Sequence, residues 1–242
     1  MSNSGAGEVC LQRLSEIVSE GESLVCGLLV DDVKHYVQVI GAKVDEVRLS
    51  EDTFFAAVHY FCRALRALDA ERVCSSSKEA IALCSLVLGT KMIEPHNVGI
   101  IFAMIESLHG ESAIAVFHRL ERSLVGALEW KLVYRSPLHY LEKLACELKL
   151  NRHIDSIRRF AAHMLRKAIR RLNPPRVGQK RSRATDVVSN FLEYRAAEVA
   201  AAILLLWRRA APQSKVNYLN SVAENDRVEL VRIRRCADVI AW

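Results

Sequence analysis

A lysine and a glutamate stand out in this sequence because each carries a charge within a strongly apolar segment. Lys91 follows the largely apolar residues 80–90, and Glu121 lies between Leu120 and Leu124. A charge in apolar surroundings costs on the order of several kcal/mol unless it finds a partner. The two opposite charges can satisfy each other, so we predict that the segments that carry them pack together.

The residues that follow Glu121 suggest a binding surface. The spacing predicts a helix over residues 111–132, in which Val125, Leu128 and Leu132 share the face of Glu121 at +4, +7 and +11. An apolar patch that contains one charge is what a groove for a partner helix requires. The alternative is that Lys91 and Glu121 are ordinary surface charges, or a purely internal ion pair.

The sequence offers no competing catalytic or metal site. The eight histidines and seven cysteines show no metal-ligand spacing such as C-x-x-C, and the chain has no phosphate-binding glycine loop and no G-x-S-x-G nucleophile motif. We therefore expect no metal, no cofactor and no enzymatic activity. The odd number of irregularly spaced cysteines favours reduced thiols. The longest apolar stretch, residues 199–207, is short of the roughly 20 residues of a membrane span, so we expect no membrane segment.

Composition and periodicity predict an all-α protein. Glycine and proline are scarce, at 10 and 5 residues, and Leu-, Ala- and Arg-rich segments with helical spacing follow one another. Residues 1–9 are expected to be disordered. Helices are predicted over residues 10–30, 31–42, 51–68, 76–94, 97–109, 111–132, 138–150, 152–172, 186–192 and 193–210, and in the tail, 215–242.

A faint internal repeat predicts two similar helical halves. The helix pair 54–68 and 79–91 resembles the pair 154–172 and 195–208, apart from a Pro-Pro and basic stretch that reads as an insertion. The predicted organisation is an extension over residues 1–32, a first domain over 33–134, and a second domain over 135–242 with the insertion near 173–186.

The positive charge of the chain is concentrated. The net charge is +6, and residues 152–183 hold eleven Lys or Arg against one acid. This stripe could bind RNA, an acidic protein segment or a phosphorylated loop, or it could be a solvated face with a weak nuclear-import patch. The helix face of Arg159, Arg166 and Arg170 carries no Phe, Tyr or Trp, which disfavours stacking on bases. The candidate anion- or substrate-binding residues are Arg159, Arg166, Arg170, Lys180 and Arg181.

Several of these segments, taken together, resemble the cyclin box. Residues 47–63, with Tyr60-Phe61-x-Arg63, resemble its second helix, and residues 83–95, ending Gly89-Thr90-Lys91-Met92-Ile93-Glu94-Pro95, resemble its central third helix. Residues 120–141 resemble the fifth helix and the linker to a second box. Residues 195–203 are similar, more weakly, to the central helix of that second box.

The resemblance implies two tandem cyclin boxes and a function without chemistry of its own. A cyclin binds a cyclin-dependent protein kinase and activates it by holding a mobile helix of the kinase inward. Lys91 and Glu121 match the residues that pair with each other and hydrogen-bond the backbone of that helix. Met92, Val125 and Leu132 match apolar positions of the kinase-binding groove. The resemblance leaves open which kinase is bound, and whether a third subunit is required.

Within the family, the sequence is most similar to transcription-associated cyclins, which implies a nuclear protein that acts in transcription or RNA processing. The Met-Arg-x-x-Leu-x-x-Trp pattern of mitotic cyclins is missing from residues 33–42. The sequence departs from the usual cyclin pattern at Cys62, at Ile93-Glu94 and in the basic insertion. Two alternatives remain: a cell-cycle cyclin, and a DNA-binding tandem cyclin fold of the general-transcription-factor type. Proteins of the latter type usually carry an N-terminal zinc ribbon, for which this chain has no cysteine pairs.

Overall fold

A computed structural model describes residues 30–68, 75–110, 112–172, 194–210 and 227–241. These residues form nine α-helices and two short 3₁₀ turns, and no strand is found within them. The predicted all-α class is confirmed. The helices are α1 (Val30–Glu46), α2 (Glu51–Ala67), α3 (Ser75–Ile93), α4 (Val98–His109), α5 (Ser112–Ala127), α6 (Pro137–Glu147), α7 (Ile154–Leu172), α8 (Ala196–Ala210) and α9 (Arg227–Ala241).

The helices divide into two compact units, each built around one central helix. One unit contains α1 to α5 and residues 169–172, and the other contains residues 135–168 with α8 and α9. In the first unit α3 packs against α1, α2 and α5, and every residue from 81 to 90 is buried. In the second unit α8 packs against α6 and α9. The predictions for residues 1–9, 10–29, 186–192 and 215–226, and for the basic insertion, lie outside the described residues.

The start of α2 is joined to the end of α3 through one carboxylate. Ser50 caps α2, and its hydroxyl oxygen accepts a bond of 3.3 Å from the Thr53 amide. Glu94 Oε1 accepts from the Ser50 amide (2.7 Å), the Ser50 hydroxyl (2.6 Å) and the Thr53 hydroxyl (2.6 Å), and its Oε2 accepts from Asn97 (2.8 Å). Burial acts to raise the pKa of Glu94, but these hydrogen bonds outweigh burial and hold the pKa below its ordinary value of 4.5.

Gly89 allows α2 and α3 to approach closely. A Cβ at this position would lie 3.1 Å from the Ala57 amide nitrogen and 3.2 Å from the Thr53 carbonyl oxygen. Both atoms belong to the backbone of α2, so neither can move without shifting the helix. Gly89 therefore sets how closely α3 packs against α2, two residues before Lys91.

The end of α5 differs from the prediction. The helix was expected to reach residue 132, but it ends at Ala127, and Glu129 and Trp130 adopt left-handed backbone angles. The Trp130 amide bonds back to the Val125 carbonyl at 3.1 Å, which closes the helix end. No Gly or Pro lies between Ala127 and Leu132, so the helical periodicity of the sequence continues past the true end of the helix. The side chains that stabilise the turn come from α2, far away in sequence.

The second unit has its own buried charge. Glu198 in the first turn of α8 is buried, and its Oε2 accepts the Arg195 amide at 2.7 Å, which satisfies an N–H group at the helix start. Arg232 of α9 completes the arrangement, with Nε 2.7 Å from Glu198 Oε1 and Nη2 3.2 Å from Oε2. This bidentate pair fixes α9 against the first turn of α8.

Candidate functional site

The structure brings Lys91 and Glu121 into direct contact. Lys91 lies in the last turn of α3 and Glu121 in the middle of α5, and the lysine Nζ is 2.7 Å from both carboxylate oxygens. The Lys91 side chain is 33% exposed and that of Glu121 is 14% exposed. The pair is thus neither a freely solvated surface contact nor a buried one, and an approaching molecule can reach it.

Two aromatic side chains that the sequence did not single out surround this pair. The Lys91 ammonium lies 5.6 Å from the centre of the Phe102 ring of α4, a cation–π distance. The rings of Phe102 and His118 are 5.1 Å apart, and His118 Nδ1 is 3.6 Å from Glu121 Oε2. Four side chains from three helices therefore form one cluster. The spacing of His118 three residues before Glu121 is a weak signal for this contact, and Phe102 gives none.

A thiol beside the pair is unreactive. Cys84 is fully buried in α3, and burial, followed by the nearby negative charge of Glu121, raises the pKa of the Cys84 thiol to about 12. Only the thiolate is a strong nucleophile. Cys84 therefore stays protonated at neutral pH and packs as an apolar residue.

The predicted apolar neighbours of the pair differ from one another in solvent exposure and in their position relative to α5. Met92 is 47% exposed, next to Lys91. Val125 and Leu128 are buried and face the core, and Leu132 lies beyond the end of α5. The prediction that Val125, Leu128 and Leu132 form one open helical patch beside Glu121 is wrong. Val125 and Leu128 face the core, and Leu132 follows the end of the helix at Ala127, where it is half-buried.

Exposed apolar side chains occur instead at the ends of the helices. Ile93 ends α3, Ile100 lies in the first turn of α4, and Trp130 and Val133 follow α5; all four are exposed, and Trp130 reaches 78%. The sequence does not distinguish these residues, because a helical pattern identifies buried faces and says little about residues at or beyond the end of a helix. Trp130 was part of the motif but was placed inside a helix.

The predicted basic stripe is described only in part. Arg159 and Arg166 are exposed on α7, seven residues apart and therefore on one face. Arg159 Nε donates to the Asp155 carbonyl at 3.3 Å, and the neighbouring Arg158 pairs with Glu142 at 2.8 Å. The side chain of Arg170, and Lys180 and Arg181 entirely, lie outside the described residues.

The described ranges contain no metal site and no helix that could span a membrane. No group of three His, Cys, Asp or Glu side chains there could hold a metal ion. No helix of the described chain has the length and apolar character needed to cross a bilayer.

Comparison with known proteins identifies the fold. No family model matches the chain, and no curated protein sequence matches it significantly. Among solved structures, the chain is similar to the X-ray structure of a viral cyclin from herpesvirus saimiri, with a TM-score of 0.65 and 15% identity over 96% of each chain. At this identity the likeness shows the fold alone. The chain has the cyclin fold: all-α, with two helical cyclin-box domains.

Proposed function

We propose that this chain is a cyclin-like regulatory subunit that binds and activates a cyclin-dependent protein kinase. The observation that carries the proposal is the Lys91–Glu121 pair, in contact at 2.7 Å and partly exposed, on a cyclin fold. The chain holds the mobile helix of the kinase inward and contributes no reacting group. By the sequence resemblance, the complex acts in the nucleus, on targets in transcription or RNA processing.

The chemistry of the pair suits recognition of a helix end. An ammonium has three donors, of which Lys91 uses two on Glu121, and each carboxylate oxygen of Glu121 can accept more than one hydrogen bond. The pair can therefore donate to a backbone carbonyl and accept from a backbone N–H at the same time. Unpaired N–H groups occur in the first turn of a helix and unpaired carbonyls in its last turn, so Glu121 can bind the start of a partner helix and Lys91 can bind the end of one.

Exposed apolar side chains supply the rest of the proposed surface. Met92 adjoins Lys91, and Ile93, Ile100 and Trp130 lie at helix ends in the same unit. Apolar contacts around a small number of polar anchors are the usual anatomy of a protein interface. Leu132 keeps its proposed place at this surface through its position beside Trp130, and Val125 supports the surface from beneath.

The decisive experiment is charge reversal in purified protein. Glu121→Lys or Lys91→Glu should lower the affinity for the best-binding member of a panel of purified cyclin-dependent kinases by at least about thirtyfold, because one charge is left without its partner in the interface. Affinity is measured by calorimetry, kinase activation by peptide phosphorylation, and helicity by circular dichroism. Glu142→Lys, which breaks the exposed Arg158 pair of the second unit, serves as the matched control and should leave affinity unchanged.

A charge-swapped double variant separates recognition from a purely internal role. Lys91→Glu combined with Glu121→Lys keeps an ion pair within the chain but exchanges donor and acceptor. We expect normal helicity and no recovery of kinase binding. Full recovery would mean that the pair only joins α3 to α5, and the proposed mechanism would be lost.

The distribution of charge favours a second binding role for the same protein. Residues 135–168, 194–210 and 227–241 hold fifteen Lys and Arg against six acids, whereas residues 30–68, 75–110 and 112–134 hold ten against eleven. We propose that Arg159 and Arg166, together with Arg170, Lys180 and Arg181, bind an acidic or phosphorylated protein segment. Guanidinium groups pair bidentately with phosphate, and the helix face of Arg159, Arg166 and Arg170 carries no Phe, Tyr or Trp for stacking on bases.

A further inference from the structure

The segment after α5 adopts a backbone conformation that its residues disfavour. Glu129 and Trp130 have φ angles of 54° and 59°, in the left-handed region that non-glycine residues adopt infrequently. Glycine would occupy both positions without this strain. Strained backbone persists where the surrounding structure enforces it, and it is concentrated at functional sites. Single left-handed residues also close α1 and α6, at Arg48 and Lys149, but the turn after α5 has two in succession. This second left-handed residue calls for a physical support.

The support comes from two side chains of α2. Arg63 Nη1 donates to the Lys131 carbonyl at 2.6 Å and Nη2 donates to the Leu128 carbonyl at 3.2 Å, so one guanidinium spans the turn. The Tyr60 hydroxyl donates to the Leu132 carbonyl. Tyr60 and Arg63 are three residues apart and thus share a face of α2. The planar fork of arginine suits two separate acceptors in a way that a single ammonium does not.

The turn exposes the side chain of Trp130. Trp130 is 78% exposed, although its amide is bonded to the Val125 carbonyl at 3.1 Å. Hydrogen bonds fix the backbone of Trp130, whereas its side chain, the largest of the natural ones, is exposed to solvent. Among the residues that the structure describes, burial of the indole therefore does not offset the strain, and the exposed ring is available for contact with another molecule.

We infer that Arg63 and Tyr60 are positioning residues that hold Trp130 as a preformed aromatic anchor for an apolar pocket on the kinase. This inference rests on the proposed function. Tryptophan is enriched among the residues that dominate interface energetics, and an anchor that is held in place before binding loses less conformational freedom on binding. The part of α5 from Glu121 to its end at Ala127 spans only about 9 Å, so one partner can contact both the ion pair and the indole.

The positioning role is tested first without a partner. In the full chain labelled with 5-fluorotryptophan, the ¹⁹F resonance of Trp130 is assigned by its loss in Trp130→Phe. Arg63→Met and Tyr60→Phe should shift and narrow this resonance as the turn becomes mobile, and should leave the Trp207 and Trp242 resonances in place. Arg66→Met removes an exposed cation from the same helix as a matched control, and should change none of the three. An unchanged Trp130 resonance in Arg63→Met would overturn the inference.

The contribution to binding is tested by a double-mutant cycle on the kinase that binds the wild-type chain most tightly. Trp130→Ala and Arg63→Met should each weaken binding by about tenfold or more, and the combined variant should lose little beyond Trp130→Ala alone, because Arg63 acts through the indole. Arg63→Lys should recover only part of the loss. Additive losses in the combined variant would show that Arg63 contributes independently, and would overturn the positioning role.

The two tests also separate this inference from the proposed function. If no kinase of the panel binds the wild-type chain, the proposed function fails and the anchor role fails with it, while the ¹⁹F comparison still decides whether Arg63 positions Trp130. If the kinase binds and charge reversal at Glu121 abolishes binding, but Trp130→Ala has no effect, the proposed function stands and the anchor is rejected.

Discussion

At the scale of single residues, three acidic side chains that are buried or partly buried each have a partner in another helix or at a helix start. Glu121 holds Lys91, Glu198 holds Arg232, and Glu94 accepts four hydrogen bonds across the junction of α2 and α3. The first pair was foreseeable, because each charge interrupts an apolar segment. The aromatic neighbours Phe102 and His118 were not, because their positions depend on how α4 and α5 pack.

Glu94 should make stability depend on pH in the acid range. Its pKa is lowered in the folded state, so its contribution is fully present at neutral pH, above the unfolded pKa, and is lost as the pH falls through the folded pKa, below 4.5. Glu94→Gln should therefore cost about 2 kcal/mol at pH 7, a modest figure for charged hydrogen bonds because the carboxylate is partly exposed.

Chemical denaturation of wild type and Glu94→Gln between pH 3 and pH 8 measures this effect. The difference in unfolding free energy between the two proteins should shrink towards zero at the acid end. A constant difference across the whole range would mean that the charge of Glu94 has no part in holding α2 to α3. Glu79→Gln, which alters an exposed carboxylate near the other end of α3, is the matched control.

At the scale of helices, local signals in the sequence predicted starts better than ends. Serine commonly begins a helix, and Ser50 and Ser136 cap α2 and α6, where each hydroxyl oxygen accepts a bond from the amide three residues on. The end of α5 was missed, because the groups that stabilise it belong to Arg63 and Tyr60, more than sixty residues earlier. The spacing of apolar residues shows which face is buried. Because the turn after α5 packs on the same core as the helix, this spacing does not change where the helix ends.

The contact at Gly89 should make this position intolerant of even a methyl group. Gly89→Ala should destabilise the protein by about 1–3 kcal/mol, because the new Cβ meets backbone atoms of α2 and forces the two helices apart. This net loss is what remains after the gain of about 1 kcal/mol in helix propensity is subtracted from the cost of the clash.

Gly126→Ala provides the matched control, since a Cβ at that helical glycine meets nothing within 4 Å. It should leave stability unchanged or raise it slightly. Thermal unfolding followed by circular dichroism compares the two variants with wild type. A Gly89→Ala protein as stable as the Gly126→Ala protein would contradict the account of close helix packing.

At the scale of the whole chain, two helical cyclin-box domains were predictable from the repeat and the motifs, and the structural likeness to a viral cyclin confirms the fold. The basic stripe is different: its charge is evident in the sequence, but its partner is not, because a row of arginines fits many anions. What the structure adds is an exposed pair on one face of α7, Arg159 and Arg166, within a unit that is basic as a whole.

The proposed anion site should respond to the position of its charges and not only to their number. Arg159→Glu with Arg166→Glu should weaken binding of a phosphorylated acidic peptide by about fivefold to tenfold at low salt, and the loss should decrease as salt rises. Fluorescence anisotropy with a labelled peptide measures both trends.

Arg234→Glu with Arg235→Glu makes the same change in net charge on exposed positions of α9. Equal weakening by both double variants would show only a general attraction to anions. Tighter binding of duplex DNA than of the peptide, in a gel-shift at physiological salt, would favour the DNA-binding alternative over the proposed one.

The exposed indole at the end of α5 also affects how the chain behaves when it is alone. Trp130 and its neighbour Val133 are both held in water by a rigid turn, and adjacent exposed apolar groups of this kind promote adhesion between copies. A chain produced in excess over its kinase would therefore leave the apolar surface of Trp130 and Val133 exposed. Its solubility would then fall as the ratio of chain to kinase rises above one.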